Sequence, residues 1–522
     1  FDNIELNLSA FEQQFSENRP FFTEGTDLFN KGNLFYSRRI GGLPQYKLGV
    51  NEQFVEGTNV KLLNALKISG RTKNGLGIGV LNAVTEETDF DIVNFKTGDI
   101  RTETEPLANY NVFTLDQRFR KNSSIAFVNT NVLRNGSFRD ANVSAIVWDL
   151  NTRSNSFNIS GDFKYSYINE ELNLEDKKGI SSYFNFGKTK GKYRISSGGK
   201  YISKNFDNND LGINFQTHYH GLYLNQSYRI LKPTKLFNSF SVNFNNYLEF
   251  DNRTGMLQQN NIISGVDLTT KKNDYFGFGL RARPLEVADF YETRSNDEEK
   301  FVIYPGRIGG FVYFSSNFNR KFAIDLNPFV TKFFEKGWLN YGFVINPRYR
   351  FSDKFSLVYN FFYDRTNNDV GWIAFDENDN TIFARRKRIT IENTIQGKFS
   401  VNETMNFNLN LRHYWSFAVN NDIFTLQDDG SLLPNTDFTT NINRNLNLWN
   451  LDFSYVWWFT PGSQVTFLYR NNSQLFSRDF SREFNTNFND AINSQNLNHI
   501  FSISVRYFID YNTLKNSNLH KT

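Results

Sequence analysis

The chain contains no cysteine, which excludes a disulfide scaffold and any thiolate metal site. It also has no run of about 18 apolar residues, so no transmembrane helix is expected. An excess of one charge is lacking as well: 58 basic residues stand against 54 acidic ones, too even a balance for a nucleic-acid surface. Histidine is scarce, with five in 522 residues, and no GxSxG elbow is present. A serine-histidine-carboxylate constellation is therefore not expected, and neither is an enzyme. The chain starts at Phe1 without an initiator methionine or an apolar leader, as a processed or partial chain would.

Aromatic side chains, by contrast, are abundant: 56 Phe and 25 Tyr bring the aromatic share to 17%. Such residues favour strands, lipid contact and interfacial belts. The clearest pattern is 401–417, VNETMNFNLNLRHYWSF. Met405, Phe407, Leu409, Leu411, His413, Trp415 and Phe417 occupy one face; Asn406, Asn408, Asn410, Arg412, Tyr414 and Ser416 occupy the other. A period of two means a β-strand, and a length of roughly 10 residues suits a tilted crossing of a bilayer. The mean hydropathy of -0.53 is no obstacle, because every second residue of a barrel strand faces water. A sheet in a membrane must close, since an open edge leaves backbone groups unpaired in hydrocarbon.

Counting by connections extends this reading along the chain. Short turns are expected at 72–75, 121–122, 151–155, 188–192, 231–234, 271–274, 319–321, 352–354, 401–403 and 460–463. Mostly longer loops alternate with them at 43–60, 86–108, 135–140, 169–178, 204–211, 251–256, 286–305, 334–337, 366–387, 418–443 and 475–496. With a first strand at 33–41 and a last at 499–511, the result is an all-β, antiparallel up-and-down transmembrane barrel of about 22 strands, with both termini on the periplasmic side. Trp457, Trp458 and Phe459 beside a short turn, with Tyr507, and Trp415 and Phe417 beside a long loop, are expected to form the two aromatic girdles. Pro328 and Pro347 fall inside strands and predict either bulges or a local bend. Residues 1–32 do not alternate and are too polar for lipid; they read as a plug in the lumen or at the inner mouth, or as a plain linker. Residues 33–511 are then the barrel and 512–522 a periplasmic tail.

Several segments resemble one family: ENRPFFTEG at 17–25, NLFYSRRIG at 33–41, SGRTKNGLGIGVLNAVT at 69–85, SYVWWFTPGSQVTFLYRNN at 454–472 and SVRYFIDYNTLK at 504–515. Together they are similar to a Bacteroidota outer-membrane family. In it, a domain like the family 9 carbohydrate-binding modules precedes a large C-terminal β-barrel of uncharacterised function. The resemblance implies the barrel and the outer membrane, and it supplies no catalytic residues. The carbohydrate-binding-like domain lies outside this chain.

The remaining candidates follow from charge and position. Arginine on the lipid side costs about 2 to 4 kcal/mol near the midplane, so Arg39, Arg412 and Arg506 are expected to face the lumen and find acceptors there. Glu24 in the plug, and Asp452 or Asp510 in the wall, are the candidate partners, and Arg19 with Glu24 would tie the plug to the wall. Within RRKR (385–388), Arg385 and Lys387 continue the lipid face and could meet lipid phosphates at the rim; Arg386 and Arg388 continue the lumen face. His218 and His220 at a spacing of two could present imidazoles to a metal, but no third ligand is evident. DENDNT at 376–381 lacks the glycine of a calcium loop and reads as a polar hairpin tip. No cofactor is expected. Partners are outer-membrane lipid and lipopolysaccharide, with other outer-membrane or periplasmic proteins in a complex. The leading functional expectation is a plugged or gated channel or transporter for a polar, saccharide-related solute. The alternative is a non-conducting structural or accessory subunit.

Overall fold

The computed structural model describes residues 4–508 apart from 47, 49–51, 56, 57, 95, 96, 172, 173, 296, 494 and 496. It is all-β, dominated by one antiparallel sheet of 22 strands. Leu432–Pro434 pairs only with the far end of Met405–Leu426; the other 21 strands form a continuous meander from Leu62–Arg71 to Asn498–Arg506. All ten short turns fall where the sequence puts them. Each is a two- to six-residue tip rich in Lys, Asn, Ser, Thr or Gly, and such tips punctuate a strand. These turns define a near end of the sheet, and the long loops define a far end.

The sheet differs from expectation in several places. Residues 33–41 make no strand; they wind through two short 3-10 turns, Lys31–Asn33 and Ser37–Arg39. The first strand is therefore Leu62–Arg71, which starts at the far end. The expected loop at 366–387 is strand: Phe355–Phe375 and Thr381–Ser400 join through only five residues. At 20 and 21 residues, these strands are about twice the length a bilayer needs. Neither proline marks a bulge. Each interrupts its ladder, which resumes in the same register: Phe311↔Phe329 to Phe314↔Leu326 beside Pro328, and Ile345↔Phe361 to Arg348↔Val358 beside Pro347. Finally, residues 509–511 of the expected last strand lie outside the described residues.

The two faces of the sheet change character along its height. On the outer face the near half is apolar and exposed, as at Ile78, Val80, Ile125, Phe127, Phe184, Phe186, Phe278 and Leu280. Higher on the rows of Ile78 and Ile125 the outer face turns polar. Asn82 donates to the side-chain oxygens of Asn109 (2.6 Å) and Asn111 (2.8 Å), and Asn129 donates to Asn142 (3.1 Å) and Ser144 (2.9 Å). The inner face of this region is apolar instead, because Leu81, Ala83, Tyr110, Val112, Val128, Val132 and Val143 are buried there beneath the N-terminal segment.

Candidate functional site: the filled inner face

The N-terminal segment alternates poorly because its apolar residues serve an irregular surface. Phe22, Phe29 and Ile40 pack on Leu81, Ala83, Tyr110, Val112 and Val132. Leu34 seats among Val128, Val143, Ala145, Ile202, Phe206 and Tyr219. Leu34 and Ile40 have no solvent exposure at all, as in the core of a domain. The path runs down the inner face and back up. Phe11 meets Phe215 and Tyr291 near the far end; Asp27 and Lys31 reach Arg71, Arg118 and Asp116 near the short turns; Arg39 donates to the Gly212 carbonyl back at the far end, at 3.2 Å. Two glycines permit this close approach. Gly25 has φ +63°, and a Cβ on Gly77 would stand 2.7 Å from Leu28 Cδ2.

Polar fastenings supplement the apolar ones. The Glu17 carboxylate accepts from Arg19 Nε (3.0 Å), Arg19 Nη2 (2.8 Å), the Arg19 backbone N–H (2.7 Å) and Ser37 Oγ (2.6 Å). Arg19 donates onward to the carbonyls of Ile40 (2.8 Å) and Ser37 (2.7 Å) and lies over the Phe22 ring at 4.3 Å. Burial alone would raise the Glu17 carboxyl, but these donors outweigh it and hold it down at about 2, from an ordinary 4.5. Charge-assisted hydrogen bonds of this kind are short and strong. Arg19 thus ties the segment to itself rather than to the sheet.

Contacts to the sheet come from elsewhere. Arg506 Nη2 donates to Glu24 Oε1 at 3.2 Å, across two largely exposed side chains. Lys67 Nζ donates to the Glu24 carbonyl at 2.6 Å and to the Phe21 carbonyl. Lys67 belongs to the first sheet strand and Arg506 to the last, so residues 21–24 touch both edges of the sheet. Arg412, nearly buried, donates to Glu392 (3.0 Å) and to the Ile4 carbonyl (3.0 Å). Tyr414 is a further anchor: its hydroxyl accepts the Leu6 N–H at 3.0 Å.

Other expected placements need correction. Arg39 is not in a strand; it sits in a 3-10 turn and pairs with Glu12 at 2.9 Å. Asp452 has no part in holding the segment, because Arg470 takes both its oxygens at 2.7 and 2.8 Å. Asp510 lies outside the described residues. Arg385 pairs with Glu335 and, at 3.7 Å, with Asp422 rather than standing free at a rim. Lys387 faces Val419 across the ladder in the same outward row. Trp415 and Phe417 point outward but are buried, not girdling: a helix, Phe484–Asn493, and Phe480 before it cover them. His413 lies under the same helix, between Phe484 and Phe488, and bonds Asn447 at 3.1 Å. The phenylalanine spacing 484/488, with Ala491 a turn further on, was the signal for this helix. Trp457 and Trp458 are exposed beside the turn at 461–462, and Phe459 stacks on Tyr507 at 6.3 Å. His218 precedes its strand with φ 64°, so it shares no pleated face with His220, which bonds Asn252 at 2.8 Å. The Asp376 carboxylate accepts the N–H groups of Asn378 and Asn380 at 2.8 Å each, closing the hairpin tip on itself.

Away from the N-terminal segment, the inner face opens into a cavity of about 790 Å³. Its lining mixes Tyr275, Tyr313, Asn327, Thr331 and Asn340 with Arg281. Asp267 is its one carboxylate and is engaged by the hydroxyl of Tyr275 and by Asn243 at 3.2 Å. A cavity of this size with convergent hydroxyl and amide groups can hold a polar molecule of drug-like size.

These features define an all-β protein whose large antiparallel sheet is lined on its inner face by its own N-terminal segment. Residues 1–518 match the family described as "Domain of unknown function (DUF5916)", and the chain belongs to that family. No curated protein matches it.

Proposed function

We propose that the sheet wraps into an outer-membrane barrel and that the protein is a plugged channel or transporter for a polar solute. The observation that carries this reading is the outer band of exposed apolar side chains at the near end, backed by a polar chamber on the inner face. Exposed apolar surface on this scale is not kept in water by a soluble monomer. Above the band, Asn82, Asn109, Asn111, Asn129 and Asn142 form an asparagine ladder suited to water. The residues at 4–46 act as the plug, since they fill part of the inner face with a packed core. Uptake of a saccharide-related solute accords with the resemblance to barrels that follow a carbohydrate-binding-like domain.

Single-channel recording of the detergent-purified protein in planar bilayers tests the reading. The full chain should conduct weakly or in brief openings, and a variant lacking residues 1–30 should conduct more. A correctly folded deletion with the conductance of the full chain would refute the plug. Silence from both would favour a non-conducting subunit of an outer-membrane complex.

A further inference from the structure

The strands Tyr275–Arg283 and Arg307–Ser315 pair with Arg283 directly opposite Arg307. Like charges facing each other across a ladder are unfavourable, and Arg281 adds a third guanidinium on the same face, two residues along. The usual remedy is a carboxylate, yet among the described residues none of the three makes an ion pair. Arg281 lies over the Phe311 ring at 4.7 Å and Arg307 over the Phe333 ring at 5.6 Å. Arg283 donates to the Pro305 carbonyl at 2.8 Å, and its Nε is buried with no acceptor. Asp289, on the segment that follows Arg283, is committed to its own turn, where it accepts the N–H groups of Tyr291 and Glu292 at 2.9 Å each. The three arginines are therefore braced on aromatic faces and a carbonyl, with fork edges left over, at the side of the cavity that Arg281 lines.

We propose that Arg281, Arg283 and Arg307 form an anion-recognition site, which takes the carboxylate, phosphate or sulfate group of a polar solute whose body lies in the adjoining cavity. Guanidinium forks match the paired oxygens of such groups, and a bound anion would relieve the repulsion between the facing arginines. Stacking on Phe311 and Phe333 fixes the planes while leaving the charges unneutralised. The inference rests on reading the inner face as a solute chamber, and it assigns that solute a negative charge.

The test uses the full chain in detergent at low ionic strength, with inorganic sulfate as the probe, glucose as the neutral control, and calorimetric titration as the readout. Sulfate should bind the wild type, glucose should not compete, and Arg281→Gln and Arg283→Gln should each weaken sulfate binding by about tenfold or more. Arg283→Lys should retain part of the affinity, because the charge stays while the fork is lost. Arg281 is exposed to the chamber, so its variant tests the site even where Arg283→Gln fails to fold. Purified lipopolysaccharide should not displace sulfate, since the arginines face away from lipid; displacement would overturn a solute site. Equal sulfate binding by wild type and a folded triple glutamine variant would overturn it too, as would no binding at all. In bilayers under a salt gradient, the triple variant should lose anion preference. A protein that binds sulfate through the arginines but never conducts would refute the channel and leave the site. One that conducts without regard to them would refute the site and leave the channel.

Discussion

Glu17→Gln removes one charge and keeps the side chain's size, which makes it the sharpest probe of how the N-terminal segment is held. The native carboxylate gathers four donors and joins residues 17–19 to the turn at Ser37. Its carboxyl sits at about 2 rather than 4.5 in the folded chain. At 1.36 kcal/mol per unit the gap corresponds to about 3 kcal/mol. The Glu17 side chain is 13% exposed but that of Arg19 is 37% exposed, so screening trims the expected loss to about 2 kcal/mol. Because the folded value is depressed, this stabilisation is complete above 4.5 and disappears as the pH falls through about 2. Hydrogen exchange of the amides between Thr26 and Ile40 reads local opening directly. At neutral pH the variant should lose roughly 30-fold in protection, the equivalent of about 2 kcal/mol. Wild type and variant should converge as the pH approaches 2. Protection factors within twofold of each other at pH 7 would refute the reasoning.

Burial pushes the Glu292 carboxyl up to about 7, with Arg294 and Arg386 opposing, so its ionisation costs stability as the pH rises from 4.5 to 7. Glu292→Gln should therefore raise the urea midpoint at pH 8 by the equivalent of up to about 3 kcal/mol and change little at pH 4; an unchanged midpoint at pH 8 would refute the placement. Leu34→Ala, at a site with no exposure, should cost about 2 to 5 kcal/mol of local stability, seen as rapid exchange at the 3-10 turns on either side. Gly77→Val should push Leu28 off the sheet and open the chain to trypsin at Lys31, whereas the same change at the open position Gly70 should not. Asn447→Leu removes a donor to the Asn487 carbonyl at 2.6 Å and a partner of His413. With a loss of about 1 to 3 kcal/mol, cleavage at Arg482 should speed up as the covering helix lifts.

The near end of the sheet was legible in the sequence because there a residue's polarity reports its surroundings: Ile, Val and Phe outward, Ser, Asn and Arg inward, polar tips between. At the far end that correspondence fails. Arg386 falls within the expected loop at 366–387, yet it lies in a strand and pairs with Asp369 at 2.8 Å. Both faces there meet water or protein, so polarity no longer separates strand from loop. Trp415 and Phe417 illustrate a second limit: alternation assigned their face correctly but could not see that residues some 65 positions later fold over it. The turn at 37–39 shows a third. Leu34, Tyr36 and Ile40 are spaced by two or four, as in a strand, but each is claimed by a different part of the inner core or loops. Glu17, Ser37 and Lys67 carried no signal, since their roles depend on carbonyls and side chains brought close only by the fold.

In a barrel closed as proposed above, the direction of the two edge strands would bear on the order of assembly. Leu62–Arg71 and Asn498–Arg506 both run from the far end to the near end, and among the described residues no backbone register joins them. In the wrapped arrangement proposed above, the N-terminal segment must descend the interior to the level of Glu24 and climb again before the first strand begins. A finished cylinder would have to be threaded; an unfinished one only has to be lined. In that arrangement the segment would be the mould on which the early strands are laid, and the last strand the stave set in place once the inside is occupied, its Arg506 meeting Glu24 as the two sides arrive. The join would also be parallel, a slightly weaker pairing per residue than the antiparallel ladders around it. It is the place where the hoop would be expected to give first.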